Sequence, residues 1–308
     1  MLGRAVLFPG QGTQVPGMGK PWRAHPAWAV VERAEAAVGE PLGELLLEAD
    51  EKRLARTREA QLAVMLTSLM AWEAVRQSVG EPVAMAGHSL GQITALVASG
   101  ALALDEGVRL AARRAECTQA AADATGGRMA ALMGATVDQA QEACRPSPGS
   151  QQQCWVANDN APGQVVVGGT PDGLDAAAAR ARELGVRRVV PLNVGGAFHT
   201  PLMDSAFEAL LPALAEADFR APAWPVVSNV DARPYNDAAG WPTRLADHLV
   251  SPVRWRETML TLVSLGATSF LEVGPGTVLG RLARRTVPEH SVGSVAVPGD
   301  VAPLLEVA

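Results

Sequence analysis

Five residues in the first third of the chain have the types and spacing of a nucleophile on a sharp turn. They are Gly87-His88-Ser89-Leu90-Gly91, of the form G-x-S-x-G. A serine hydroxyl becomes an effective nucleophile when a general base takes its proton, and histidine is the usual base. The chain has five: His25, His88, His199, His248 and His290. His88 adjoins Ser89, and neighbouring side chains in a tight turn point apart. His25 and His290 lie in polar, Pro-flanked segments. His199 stands in a glycine-rich loop, Gly195-Gly196-Ala197-Phe198-His199, and spacing favours it over His248 while leaving both open. The chemistry on offer is acyl transfer, or hydrolysis, through an acyl-serine.

Such a serine needs a strand before it and a helix after it. Residues 83–86 are an apolar run that predicts a buried strand. Residues 92–98 predict a helix that stops at Gly100. The glycines let the backbone turn sharply, and the helix start aims N–H groups at the site. Residues 4–8 predict a first strand running into Pro9-Gly10-Gln11-Gly12-Thr13-Gln14, a loop that brings the Gln11 backbone to another strand end. It is neither a Walker loop nor a G-x-G-x-x-G turn.

Apolar periodicity predicts helices over 26–38, 42–47 and 58–75, the last containing Gln61. A further helix spans 106–122 with Asp105 as its N-cap, and carries Arg109, Arg113, Arg114 and Gln119. After Gly126-Gly127 the pattern changes. Strand 129–133, helix 137–144, a polar turn region over 146–153, strands 155–158 and 165–167, helix 174–184 and strand 187–192 follow in turn. That β-α-β-β-α-β order is ferredoxin-like. Helix 205–217, strand 226–230, a segment over 241–250 leading to Ser251-Pro252-Val253-Arg254-Trp255, and a helix ending at Leu265 come next. Strand 270–273 is read as the last, followed by a short helix with Arg281, Arg284 and Arg285. The fold class is α/β, with a unit from 127–194 set inside a discontinuous unit of 1–126 and 195–308.

Of the 308 residues, 48% are hydrophobic and 19% charged, enough for a sizeable core. A formal net charge of −6 argues against general nucleic-acid binding. No run of about eighteen apolar residues predicts a membrane span. The N-terminus lacks the order of a signal peptide, so a cytoplasmic protein is expected. Cys117, Cys144 and Cys154 form no C-x-x-C pair or Cys/His cluster, so reduced thiols and no metal are expected. Lysine occurs only at 20 and 52, and an arginine-rich cation set suits planar recognition of carboxylate or phosphate.

Six blocks together carry a resemblance. They are Pro9-Gly10-Gln11-Gly12-Thr13-Gln14, the Ser89 turn, Asn160-Ala161-Pro162-Gly163-Gln164, Gly196-Ala197-Phe198-His199, Ser251-Pro252-Val253-Arg254-Trp255 and Glu272-Val273-Gly274-Pro275-Gly276. In order and spacing, from about residue 5 to about residue 285, the chain resembles malonyl-CoA:acyl carrier protein transacylases of fatty acid and polyketide synthesis. The resemblance implies an α/β-hydrolase-like core with an inserted ferredoxin-like subdomain. It implies Ser89 as the acylated nucleophile and His199 as its base. Gln11 and Leu90 would give backbone N–H groups to the oxyanion hole. Arg114 would pair with the malonyl carboxylate, and the His248 backbone carbonyl would orient His199. Phe198, before the histidine, and Leu90, after the serine, resemble the residues of malonyl-selective members. Departures stand at Gln92, at Gly195 and in Arg114-Ala115-Glu116-Cys117-Thr118-Gln119.

The implied reaction moves malonyl from malonyl-CoA through an acyl-serine to the phosphopantetheine thiol of an acyl carrier protein, by a ping-pong route without cofactor. A monomer is expected. Carrier proteins of this pathway are acidic as a class, so docking calls for a local basic face, expected at Arg187, Arg188, Arg284 and Arg285. Two alternatives stay open. A hydrolase of the same fold would clear acyl groups from carrier proteins, with Arg114 as the discriminating feature. A non-catalytic carrier-binding subunit would need neither Ser89 nor His199.

Overall fold

The computed structural model describes residues 3–146 and 153–302. Its strands, in chain order, are β1 (Arg4–Phe8), β2 (Ala84–Gly87), β3 (Arg128–Met133), β4 (Cys154–Ala161), β5 (Gln164–Gly169), β6 (Arg188–Pro191), β7 (Val226–Val227), β8 (Pro234–Tyr235), β9 (Ser269–Val273) and β10 (Ser291–Val295). Among the described residues they form two sheets.

The first sheet has the order β10-β9-β1-β2-β7-β8 and is parallel except for β8 against β7. Parallel strands buried on both faces read as continuous apolar runs, and β1 and β2 do so. Phe8 lies opposite Gly87, so the loop after β1 and the turn after β2 leave the sheet side by side. Ligand sites of parallel α/β sheets form at these carboxyl ends. The helix Thr57–Val79 packs behind them and is buried along most of its length. No helix among the described residues is long and apolar enough to cross a membrane.

The second sheet has the antiparallel order β4-β5-β3-β6. Alternation along β3 sends Ala130 and Leu132 to one face and Met129 and Ala131 to the other. The first face packs under the helices Val137–Cys144 and Pro171–Glu183. The second, with Ala157 and Val166, meets Phe198. Two further links join this sheet to the rest of the chain. Val253 docks on β4, its N–H donating to the Ala157 carbonyl and its carbonyl accepting from the Asp159 N–H, both at 2.9 Å. Arg256 pairs with Asp159 at 2.8 Å.

Several expectations need correction. Ala103, not Asp105, holds the N-cap position of the helix Leu104–Thr125, and no side chain caps it. Asp105 sits in the first turn, where a carboxylate favours the helix dipole, and pairs with Arg33. The strand expected over 226–230 stops at Val227, because Ser228 and Asn229 enter a turn closed by Ala232 at φ 55°. Strand 269–273 is not the last. β10 is partly exposed, with serine and glycine between its valines, and lacks the apolar run that signals a buried strand. The polar turn region reaches into residues 147–152, outside the described residues. Cys117, Cys144 and Cys154 are free and buried.

Candidate active site

Ser89 stands at the top of a turn that only glycine can close at both ends. A Cβ on Gly87 would collide with the Gly91 carbonyl, and one on Gly91 with the Phe8 carbonyl. Ser89 itself has φ 55°, a left-handed conformation that a non-glycine residue adopts only when its surroundings enforce it. Asn229 does much of the enforcing. Its Oδ1 accepts from the Ser89 N–H at 2.9 Å, and its Nδ2 donates to the Gly87 carbonyl at 2.9 Å. Gln92 Oε1 accepts in turn from the Asn229 N–H at 2.8 Å. All three polar groups are buried or nearly so, where hydrogen bonds position most firmly. Sequence reasoning missed Asn229, since a polar residue after an apolar strand is an ordinary turn signal.

The helix Gly91–Ala98 starts directly behind the serine. Helix starts leave N–H groups without intrahelical partners. Among the described residues neither the Leu90 nor the Gln11 N–H has a protein acceptor. Gly10 lets the β1 loop approach closely, for a Cβ there would strike the His88 carbonyl.

The Ser89 Oγ–H donates to His199 Nε2 at 2.8 Å, and His199 Nδ1–H donates to the His248 carbonyl at 2.7 Å. A carbonyl can only accept, so Nδ1 carries the proton and Nε2 offers its lone pair to the serine. His248 is in the last turn of the helix Trp241–Val250, where carbonyls are free of intrahelical bonds. This geometry puts His199 beside Ser89. His248 contributes a main-chain group, and its ring stacks on that of His199 with centroids 4.7 Å apart and 29° between planes. His199, like Ser89, has a positive φ, 61°. His88 points away from the serine, as expected, with Nε2 2.8 Å from Asn160 Oδ1.

Arg114 reaches the same point from the helix Leu104–Thr125. It is 5% exposed. One guanidinium nitrogen donates to Gln61 Oε1 at 2.7 Å and the other to Ser89 Oγ at 3.2 Å. No carboxylate pairs with it among the described residues. Burial lowers its pKa to about 10, so it stays a cation near neutral pH. Gln61, which the sequence places among satisfied core residues, is thus the arm that aims this cation.

Burial, then the nearby Arg114 cation, push the His199 pKa down to about 3, against the opposing pull of the His248 carbonyl. Burial also lowers His88, and burial with His199 and Arg114 lowers His248. All three rings are therefore neutral when folded. Unfolded imidazoles titrate near 6.5. The stability these neutral rings allow is fully present above that value. It is lost as pH falls from 6.5 toward the folded values, because the unfolded chain then binds protons the folded chain refuses. Each ring contributes up to about 1.4 kcal/mol per pH unit in that window. The urea midpoint is expected to drop measurably between pH 7 and pH 5, where most carboxylates stay ionised, and His88→Gln to shallow the drop. Equal midpoints at the two pH values would show that these rings are not held neutral.

A cavity of about 380 Å³ opens over the serine, walled by both sheets' units. Gln11, Arg114, Asn160, Val166, Phe198 and His199 are among its lining residues. Phe198 is half-buried and stands beside the base. The Glu272 carboxylate, in the sixth block of the sequence, does not reach the cavity as a reacting group. It accepts from the Leu279 and Gly280 N–H groups at 3.1 and 2.7 Å and so anchors the helix Val278–Thr286. That helix carries Arg284 and Arg285, both exposed. Arg285 donates to Gln164 Oε1 and the Pro162 carbonyl, each at 2.8 Å, and Arg284 to the Val292 carbonyl at 3.1 Å. Arg187 and Arg188 are exposed at the start of β6. Arg187 packs by Gly134 and Arg285 by Gly163, two glycines bonded to each other at 2.8 Å. These two arginines therefore flank one strand end beside the cavity.

Residues 6–304 match the family model of the acyl transferase domain. A malonyl CoA-acyl carrier protein transacylase of Bacillus subtilis is 37% identical over 283 residues, covering 91% of this chain and 89% of the relative. A crystal structure of the corresponding Xanthomonas oryzae transacylase superposes with a TM-score of 0.93 at 37% identity, covering 100% of this chain and 98% of that one. A complex of a type II PKS acyl-carrier protein with its malonyl-transacylase superposes with a TM-score of 0.94 at 32% identity, over 99% of this chain and 100% of that one.

Proposed function

Because the chain belongs to the malonyl CoA-acyl carrier protein transacylase family, within the acyl transferase domain family, we propose that Ser89, His199 and Arg114 are its working groups. The enzyme transfers malonyl from CoA to an acyl carrier protein. In the first half-reaction Ser89 Oγ attacks the malonyl thioester carbonyl while His199 Nε2 takes its proton. The oxyanion is held by the Gln11 and Leu90 N–H groups, each donor of this kind being worth a factor of about 10² or more. The tetrahedral intermediate collapses, the C–S bond breaks, and imidazolium returns its proton to the CoA sulfur. In the second half-reaction the carrier's phosphopantetheine thiol gives its proton to His199 and attacks the acyl-serine, and Ser89 leaves with that proton. These steps use no group beyond the protein's own.

The observation that carries the reading is Arg114: a buried cation, without a carboxylate of its own, 3.2 Å from the nucleophile. An unpaired buried charge is costly and calls for an anionic partner. The free carboxylate of a malonyl group bound to Ser89 supplies one. Phe198 beside His199 would border the acyl α-carbon and limit its bulk. We read residues 1–126 with 195–308 as an α/β-hydrolase-like catalytic unit and 127–194 as an inserted ferredoxin-like unit. The β4-β5-β3-β6 order and its two helices support that division.

Intact-mass measurement after exposure to malonyl-CoA and acetyl-CoA tests the function. Expected is one malonyl group per chain, little acetyl, and a malonyl load that persists in buffer but leaves on adding carrier protein. Charge reversal at Arg187 and Arg188 is expected to slow the unloading at low salt without slowing the loading. Rapid loss of the load to water would favour the hydrolase reading instead.

A further inference from the structure

We propose that the imidazole ring of His248, and not only its carbonyl, is a positioning residue: its face stacks on His199 and stabilises the imidazolium that forms there at each proton transfer. The proposal rests on His199 being the general base.

Three observations carry it. First, among the described residues no carboxylate bonds His199, and the Nδ1 partner is a neutral carbonyl. A carbonyl stabilises a developing positive charge less than a carboxylate does. Second, the His248 ring lies face to face with His199 at 4.7 Å and 29°. Aromatic faces within about 6 Å attract a cation, most strongly away from water. His248 is 1% exposed and His199 4%. Third, His248 Nε2 is buried without a hydrogen-bond partner. A side chain kept for packing alone could be apolar and avoid that penalty. What the imidazole adds at this position is its face. Burial, then the neighbouring His199 and Arg114, keep it neutral, the state in which the face attracts rather than repels.

The test is the single-turnover rate of acyl loading in His248→Gln, His248→Met and His248→Phe, all of which keep the backbone carbonyl. The non-aromatic Gln and Met variants are expected to load about tenfold more slowly, the size of one desolvated cation–π contact, with unchanged KM for malonyl-CoA and unchanged Tm. Phe restores a face without a polar atom and is expected to load within about twofold of wild type. A Gln or Met variant as fast as wild type would overturn the proposal, as would a folded Phe variant as slow as Gln. If Phe fails to fold, the Gln and Met rates still decide. His199→Ala, measured alongside, separates the two ideas: rapid loading by that variant would sink the base assignment itself.

Discussion

Ser89→Ala is expected to take up no malonyl group from malonyl-CoA, and His199→Ala to load about three to four orders of magnitude more slowly than wild type. The Ser89 oxygen is the atom that would form the ester, so no residual covalent load is expected without it. Without His199 the hydroxyl keeps its proton, and the Gln11 and Leu90 N–H groups, in their proposed role as oxyanion hole, would supply the remaining acceleration. Nucleophile and base act as a unit, so the double variant is expected to be no worse than Ser89→Ala. Quenched-flow loading followed by intact mass reads all three. Covalent malonylation of Ser89→Ala at any comparable rate would remove the serine from its role. Circular dichroism is expected to show an unchanged fold, because the Ser89 N–H bond to Asn229 is a backbone contact that survives the substitution.

Arg114→Ala is expected to lower kcat/KM for malonyl loading by about 10²- to 10³-fold while leaving acetyl loading unchanged or faster, so that acyl preference inverts. A charge-assisted bond is worth about 1.5–3 kcal/mol, and a guanidinium can offer a carboxylate two in parallel. Arg114→Lys is expected to recover only part of the loss, since an ammonium lacks the planar fork and does not reproduce the bond to Gln61 Oε1 while facing the substrate. Competition between malonyl-CoA and acetyl-CoA in one reaction gives the ratio directly. A variant that still prefers malonyl would place the carboxylate elsewhere in the cavity.

The fold and the central pair of this site were legible in different ways. Ser89 could be read locally, because a strand, two obligatory glycines and a helix all lie within a dozen residues of it. The strands of the second sheet were legible too, as short runs interleaved with two helices. His199 was not legible from spacing alone. Its place beside Ser89 depends on a left-handed backbone at a non-glycine residue and on a carbonyl from a helix end 49 residues away. Spacing favoured it over His248 without deciding between them, and the block pattern as a whole carried the choice. Asn229 was invisible and Gln61 was read only as a satisfied core residue, because the bonds that give each its place run across the fold, from Asn229 to the Ser89 N–H and the Gly87 carbonyl and from Arg114 to Gln61. β10 was missed because half-exposed edge strands need little apolar sequence.

The contacts between the second sheet and the chain around it bear on how this enzyme could be recombined. Residues 127–194 invite removal as a cassette, to be replaced by the same stretch of another acyltransferase. Yet β4 of that stretch is paired with Val253, Asp159 is held by Arg256, and the Pro162–Gln164 turn is gripped by Arg285. A transplanted cassette would arrive without the strip and the clamp that its own parent supplied. The unit of exchange is therefore three separate pieces of chain, and a chimera built at the cassette's two obvious borders would inherit a misfitted wall along the cavity over Ser89.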